Sequence, residues 1–382
     1  MILSLVIFLI STSAVSNEIP YFIRSPKALL MGDAFSVAGD DEFAMYYNPA
    51  TLGNGNLIEF SVINPVFSLP NLLDDFEKFN DLPNDPVDIA AAIMNTPLNI
   101  QTMGGPTLKF GPVGFGLLAN MSTNFILRNV IYPQLEIDYK FDKGFITSYA
   151  HSWGRGGKYE KYNPYKRKKL SSSGYRFSIG FSAKYVDRTV LSGNYSLFGV
   201  RLLNEVTAGA GDLSQVRENL GYARGSAWGF DTGATFLYST GNSEFSAGIS
   251  ILDIAGTNYK RESGTASINE QPMIVSTGIS FSQKVAGLSY RLSMDLHPIN
   301  SGYDFMRKLH VGSEFTLNAF KPFLDFLIGY SAGYLSYGVQ VDILLLKITA
   351  GFYGVEIGGK YREQEAERFV IQLSLLDFAY DI

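Results

Sequence analysis

Residues 288–297 read LSYRLSMDLH. Taken alternately, Leu288, Tyr290, Leu292, Met294 and Leu296 form an apolar set, while Ser289, Arg291, Ser293, Asp295 and His297 form a polar one. A period of two belongs to a β-strand, whose successive side chains point to opposite faces of its sheet. The same alternation returns along the chain. Val113, Phe115, Leu117, Ala119 and Met121 carry it, as do Tyr175, Phe177, Ile179, Phe181, Ala183 and Tyr185. So do Phe245, Ala247, Ile249 and Ile251, and later Leu335, Tyr337, Val339, Val341 and Ile343. Each run approaches the roughly 9–11 residues of a tilted membrane strand, longer than the about 5–6 of an ordinary strand. Between the apolar residues stand mostly Gly and Ser, with few charges. That pattern suits a closed barrel with lipid outside and a polar lumen, the one strand architecture that leaves no backbone group unpaired in lipid.

The composition agrees. The chain holds 28 Phe, 23 Tyr and 38 Gly, and its charged residues, at 18%, fall below the usual share, which is about 25%. No apolar run reaches the roughly 20 residues of a spanning helix. A net charge of −5 argues against a nucleic-acid partner, which calls for a basic footprint. The absence of cysteine removes disulfides, thiolate metal sites and cysteine nucleophiles. Residues 1–16 read as a secretory signal: a short apolar run from Ile2 to Ile10, then small residues before Asn17, though without an early Lys or Arg.

Fourteen strands are expected, at about 57–67, 100–110, 113–123, 141–152, 174–187, 226–238, 244–254, 273–283, 285–296, 307–317, 323–331, 334–343, 346–359 and 367–376. An even count puts both ends of the wall in the periplasm. Long connections at 68–99, 188–225 and 255–272 then lie outside, and the turns at Gly111-Pro112, Thr240-Gly241-Asn242 and Gln283-Lys284 lie inside. The basic connection 153–173, with Arg155, Lys158 and Lys161, breaks the rule by being long on the periplasmic side. The final residues after Leu375-Leu376, where the alternation slips, read as a tail.

Ahead of the first strand, Arg24 to Gly53 reads RSPKALLMGDAFSVAGDDEFAMYYNPATLG. This stretch resembles the N-terminal hatch of the FadL-like outer-membrane transport proteins, and within them the PorV-like and related branches. The matching residues are Gly32, Asp33, Ala34, Asp40, Asp41, Tyr46, Asn48, Pro49, Ala50 and Leu52. The resemblance covers about 30 residues of motif and implies an all-β transmembrane antiparallel barrel of about 14 strands, in the outer membrane of a Gram-negative bacterium. It implies that residues 17–56 form a hatch in the lumen and 57–382 the barrel. Passive uptake of hydrophobic small molecules such as long-chain fatty acids follows from it, with no cofactor. The alternative is a PorV-like role, holding exported proteins or serving a secretion system.

The candidate site residues divide into three groups. Gly32, Asp33, Asp40, Asp41, Asn48 and Pro49 are the hatch motif. Arg176, Lys184, Arg291, Asp295, His310 and Glu314 fall on the lumenal face and form an expected polar network. In it the three basic residues pair with hatch acids, or Arg291 and Asp295 pair with Glu314 and His310 on the next strand. Such a network is either structural or part of a binding path. Leu72, Leu73, Phe76 and Phe79, in an external connection also rich in Asp, are candidates for capturing a hydrophobic ligand, and Val87 to Met94 for a short helix. The three histidines, His151, His297 and His310, lack metal-ligand spacing. No G-x-S-x-G elbow or phosphate loop is present, so neither an enzyme nor a metal site is expected. Outer-membrane lipid is the expected surrounding, with a hydrophobic small molecule or an exported protein as partner.

Overall fold

The computed structural model describes residues 18–54, 58–70, 98–128, 134–154, 173–196, 221–285, 287–317, 323–343 and 345–380. Residues 1–16, where a secretory signal is expected, Leu72, Leu73, Phe76, Phe79, the Val87–Met94 stretch, most of the basic connection and residues 197–220 lie outside that set.

The strands are β1 (Ile58–Ile63), β2 (Val66–Pro70), β3 (Leu98–Gly104), β4 (Thr107–Phe110), β5 (Val113–Arg128), β6 (Gln134–Gly154), β7 (Gly174–Ser196), β8 (Tyr222–Ser239) and β9 (Ser243–Leu252). They continue with β10 (Lys260–Gly264), β11 (Ile274–Val285), β12 (Leu288–Leu296), β13 (Leu309–Leu317), β14 (Phe323–Ser331), β15 (Tyr334–Ile343), β16 (Leu346–Glu356) and β17 (Glu365–Tyr380). β1 and β2 are halves of one kinked strand, β3 and β4 of another, and β10 is a short addition beside β8. The wall is therefore a closed 14-strand antiparallel barrel. It closes where β17 pairs with both halves of the first strand, Ile58 opposite Tyr380 and Phe67 opposite Ile371. Among the described residues no helix is long and apolar enough to cross a membrane.

The alternation has a direct counterpart in burial. Along β12, Leu292 and Met294 are exposed while Ser293 and Asp295 are buried. Around the wall, Phe115, Phe181, Phe230, Ile249, Ile279, Phe326, Leu335 and Leu373 all point outward. Trp153, Tyr149, Tyr175 and Tyr238 stand exposed near the end with the shorter turns, where an aromatic girdle meets the headgroups. An exterior this apolar in solution would be an aggregation surface. Around a closed wall it is a lipid face.

Several details depart from the sequence pattern. β6 starts at Gln134 and β7 runs to Ser196, and the two pair without a break from Gln134–Ser196 to Gly154–Arg176. Both outlast the expected strands because cross-strand hydrogen bonds, not a lipid face, sustain these extensions. The first two strands kink at Asn64-Pro65 and Gly105-Pro106, where proline has no N–H to give the ladder. There Gly105 N donates to Asn64 Oδ1 at 2.8 Å. Gly105 has φ +154°, and a Cβ on it would lie 2.1 Å from the Leu117 carbonyl oxygen. The expected C-terminal tail is wall instead, since β17 pairs with β1 as far as Tyr380. Leu376 has φ 57°, and this left-handed residue lets Leu375 and Leu376 both face outward. The connection expected at 255–272 carries β10, and residues 297–308 hold a short helix, α2 (Phe305–Lys308).

Candidate functional site

Residues 18–54 are not part of the sheet. They lie inside it, and nearly all of residues 21–52 are buried. Their local structure follows from the sequence. Pro26 opens α1 (Pro26–Leu30), with Ser25 Oγ accepting from Ala28 N at 3.2 Å. After α1 the chain turns sharply through Gly32 (φ 62°) and Asp33 (φ 66°). Two 3₁₀ turns follow, Ala44–Tyr46 and Pro49–Asn54. Between them Asn48 sets the bend, donating Nδ2 to Ser36 O at 2.9 Å and accepting from Ala50 N at 3.0 Å.

Glycines in the wall let this segment approach. Gly312 and Gly329 are cross-strand partners. A Cβ on Gly329 would stand 2.0 Å from Gly32 N, and one on Gly312 would stand 2.3 Å from Met31 O. On the far wall Gly180 pairs with Gly233, and their added Cβ atoms would meet the Pro49 backbone at 2.3 Å and Asn48 Oδ1 at 2.0 Å. The wall is thus recessed at two places to receive the Gly32 turn and the Asn48-Pro49 bend.

Charges hold the rest. Lys27 Nζ pairs with Glu314 at 2.6 Å and Asp40 at 2.9 Å. Arg291 NH1 pairs with the same two carboxylates, at 2.9 and 2.7 Å. Asp41 Oδ1 accepts from Phe43 N at 2.9 Å, and its backbone oxygen accepts from Lys109 Nζ at 2.9 Å. Burial and the neighbouring Glu42 raise the Asp41 carboxyl to about 7. Glu42 takes Lys347 at 2.7 Å. This cluster lies toward the end of the barrel where the wall begins and ends.

At the other end Arg24 NH2 meets Asp33 Oδ2 at 2.8 Å, and Arg24 NH1 meets Glu18 at 2.8 Å. Arg368 from the wall also binds Glu18, at 2.9 Å. Burial would raise the Asp33 carboxyl, but Arg24, His297 and His310 outweigh it and hold it at about 2. The imidazoles of His297 and His310 stack with centroids 3.7 Å apart. His297 Nδ1 lies 2.8 Å from Tyr21 Oη and its Nε2 lies 3.1 Å from Asp33 O. His310 Nδ1 is 2.9 Å from Gly32 O and Nε2 is 3.1 Å from His297 O. Asp33, His297 and His310 have a donor set that suits a metal ion. Here every ring nitrogen already has a partner, and Arg24 occupies the carboxylate. The trio therefore acts as a clasp.

Three expected pairings come out differently. Asp295 and His310 face each other in register, but the Asp295 carboxylate accepts from Ser36 N at 2.6 Å, while His310 turns to Gly32. Lys184 does not take a hatch carboxylate. It pairs with Asp231 at 2.7 Å and Asp253 at 3.0 Å, both on its own side of the wall. Arg176 reaches the inner segment through a backbone oxygen, Gly53 O, at 2.9 Å. The sequence reading also missed Glu18, Arg24, Lys27 and Arg188. None lies in an alternating run that was recognised, so no period marked it. His297 did carry a signal, since it continues the inward set of β12.

A cavity of about 40 Å³ near Glu18, Arg24, Asp33 and Arg307 has space for a water or two. A larger recess of about 440 Å³ lies on the lipid face, lined by Phe281, Leu292, Met294, Val311, Ile328 and Leu335.

No protein-family model and no curated protein matches the sequence. Solved structures do. The Ralstonia pickettii toluene transporter TbuX is 13% identical, with 93% of this chain and 98% of that one covered at a TM-score of 0.45. The CymD monoaromatic hydrocarbon channel is 11% identical, with 96% and 99% covered at 0.43. A Pseudomonas aeruginosa FadL homologue is 9% identical, with 94% and 99% covered at 0.29. By its own geometry the chain is a closed 14-strand antiparallel β-barrel with an apolar outer face and a buried inner segment.

Proposed function

We propose that the protein is a plugged channel for passive uptake of hydrophobic small molecules across the outer membrane, with residues 18–54 as the hatch. The observation that carries this reading is the inner segment. It fills the bore without contributing a strand to the wall, so it can shift while the ladder of the barrel stays paired. No cofactor is needed, because a hydrophobic solute moves down its own gradient once a path exists. The acyl-carboxylate class, exemplified by long-chain fatty acids, is the substrate we favour on the resemblance of the Gly32 to Leu52 motif.

The test uses the chain's lack of cysteine. A Cβ on Gly233 would lie 2.9 Å from Asn48 Cγ, so Asn48→Cys with Gly233→Cys places two sulfurs within bonding reach. Radiolabelled oleate uptake is measured in cells lacking their own hydrophobic channel. Uptake blocked in the oxidised double variant and restored by reduction is the expected result. Equal uptake in both states would show that the segment is not a hatch.

A further inference from the structure

The connection between β9 and β11, residues 253–273, is mostly exposed but turns Asp253, Thr257 and Gln271 into the interior. At its base Leu252 and Ile274 pack on Tyr21. Thr257 and Gln271 bond across it, N–H to O at 2.8 and 3.0 Å, and both are buried. Gln271 has one partner on each side. Its Nε2 donates to Pro20 O of the inner segment, and its Oε1 accepts from Arg188 NH2 of the wall at 3.0 Å.

Arg188 is the hub. It holds Asp142 through Nε and NH2 at 2.7 and 2.9 Å, and it donates to Asn269 O at 3.0 Å. Its guanidinium lies 4.4 Å from the Tyr259 ring of the connection and 5.6 Å from the Phe22 ring of the inner segment. One buried cation thus touches the wall, the connection and the inner segment at once. A second anchor lies beside it. Asp253 N donates to Asp231 at 2.8 Å, Thr257 Oγ1 donates to Asp253 at 2.7 Å, and Lys184 binds both acids.

We propose that residues 253–273 are an outer lid, latched to the inner segment through Gln271 and Arg188, so that lid and inner segment open together. The physical ground is the shared partners. Lifting the lid strips Gln271 from Pro20 and leaves the Phe22 and Tyr259 faces of Arg188 without each other, so neither element moves without loosening the other's hold. Lys260–Gly264 extends the ladder of β8 and ties the middle of the connection to the wall, so opening is a swing of the Thr257 and Asn269–Gln271 arms about that tie. This inference rests on the plugged-bore reading but not on any particular ligand.

The test reads exposure rather than transport, so a failed uptake experiment leaves it standing or falling independently. Leu30→Cys, fully buried in the native chain, is labelled on whole cells with a membrane-impermeant maleimide. Gln271→Ala should raise the labelling rate about tenfold, and Glu270→Gln, an exposed neighbour on the same lid, should not change it. Gln271→Glu keeps the acceptor for Arg188 but loses the donor to Pro20, so it should raise labelling of Leu30→Cys and of a Thr257→Cys probe on the lid together. Heat-modifiable migration on a gel confirms that each barrel is folded. Faster labelling of Thr257→Cys with no change at Leu30→Cys in Gln271→Ala would overturn the coupling. So would unchanged labelling at both positions.

Discussion

The wall and the inner segment are built on opposite rules. In the wall, each residue's direction follows from its parity, and backbone hydrogen bonds run continuously, as between Gln134–Gly154 and Arg176–Ser196. In the inner segment no such ladder exists. Its hold comes from the fit of Gly32 and Asn48-Pro49 into glycine recesses and from buried charge pairs such as Arg24 with Asp33. The wall can therefore lose a side chain without losing a strand, whereas the inner segment depends on a handful of contacts. That difference is what makes displacement of one within the other physically reasonable.

The sharpest way to break the comparison is Gly329→Val. Its new atoms would meet Gly32 backbone, which cannot rotate away as a side chain can. Overpacking of this kind costs about 1–3 kcal/mol or more. The inner segment should leave its seat while the barrel remains heat-modifiable, and planar-bilayer conductance should rise several-fold. A barrel that fails to assemble would show instead that wall and segment are not separable.

Arg24→Met comes next. It leaves Asp33 charged and buried, a loss of about 3–5 kcal/mol when one partner of such a pair is removed. Protease cleavage within residues 18–54 should accelerate strongly, with the wall unaffected. Acid should act on the same pair. The Asp33 carboxyl is held down from 3.8 to about 2, so its contribution is fully present above about pH 4 and disappears as pH falls through about 2, worth about 2 kcal/mol. Protection of the inner segment in the native chain should decline across that window, and Asp33→Asn should lessen the decline, leaving the share that Glu18 and Glu42 carry through Arg368 and Lys347. The smallest effect belongs to Arg291→Ala. Asp40 is 40% exposed, so solvent screens that half of the cluster, and Lys27 still neutralises Glu314. A loss of about 1 kcal/mol is expected, seen as a modest increase in trypsin cleavage. No change would mean that the cluster is decorative.

Much of the wall was legible because lipid imposes a strict rule on every outward position. β12 is the clearest case, with Leu292 and Met294 outside and Ser293 and Asp295 inside. The rule weakened where lipid no longer enforced it. β6 and β7 outran their expected ends, and the Leu375-Leu376 slip read as a tail although one left-handed residue carries the strand onward. The candidate site was less legible. Arg291 opposite Glu314 could be reasoned from strand order, because both lie in alternating runs. The partners of Lys184, Asp295 and His310 could not, since each depends on where the inner segment passes and which loop folds back.

The sequence by itself determined that this chain is a barrel of about fourteen strands, since a period of two repeated at membrane length admits no other lipid-compatible solution. Only the tertiary structure decided how Arg24, Asp33, His297, Arg188 and Gln271 meet. Their contacts with one another span up to 264 positions of sequence, as between Asp33 and His297. Local periodicity carries no information at that range, because those pairings arise only when the closed wall brings its inner face around the segment that it encloses.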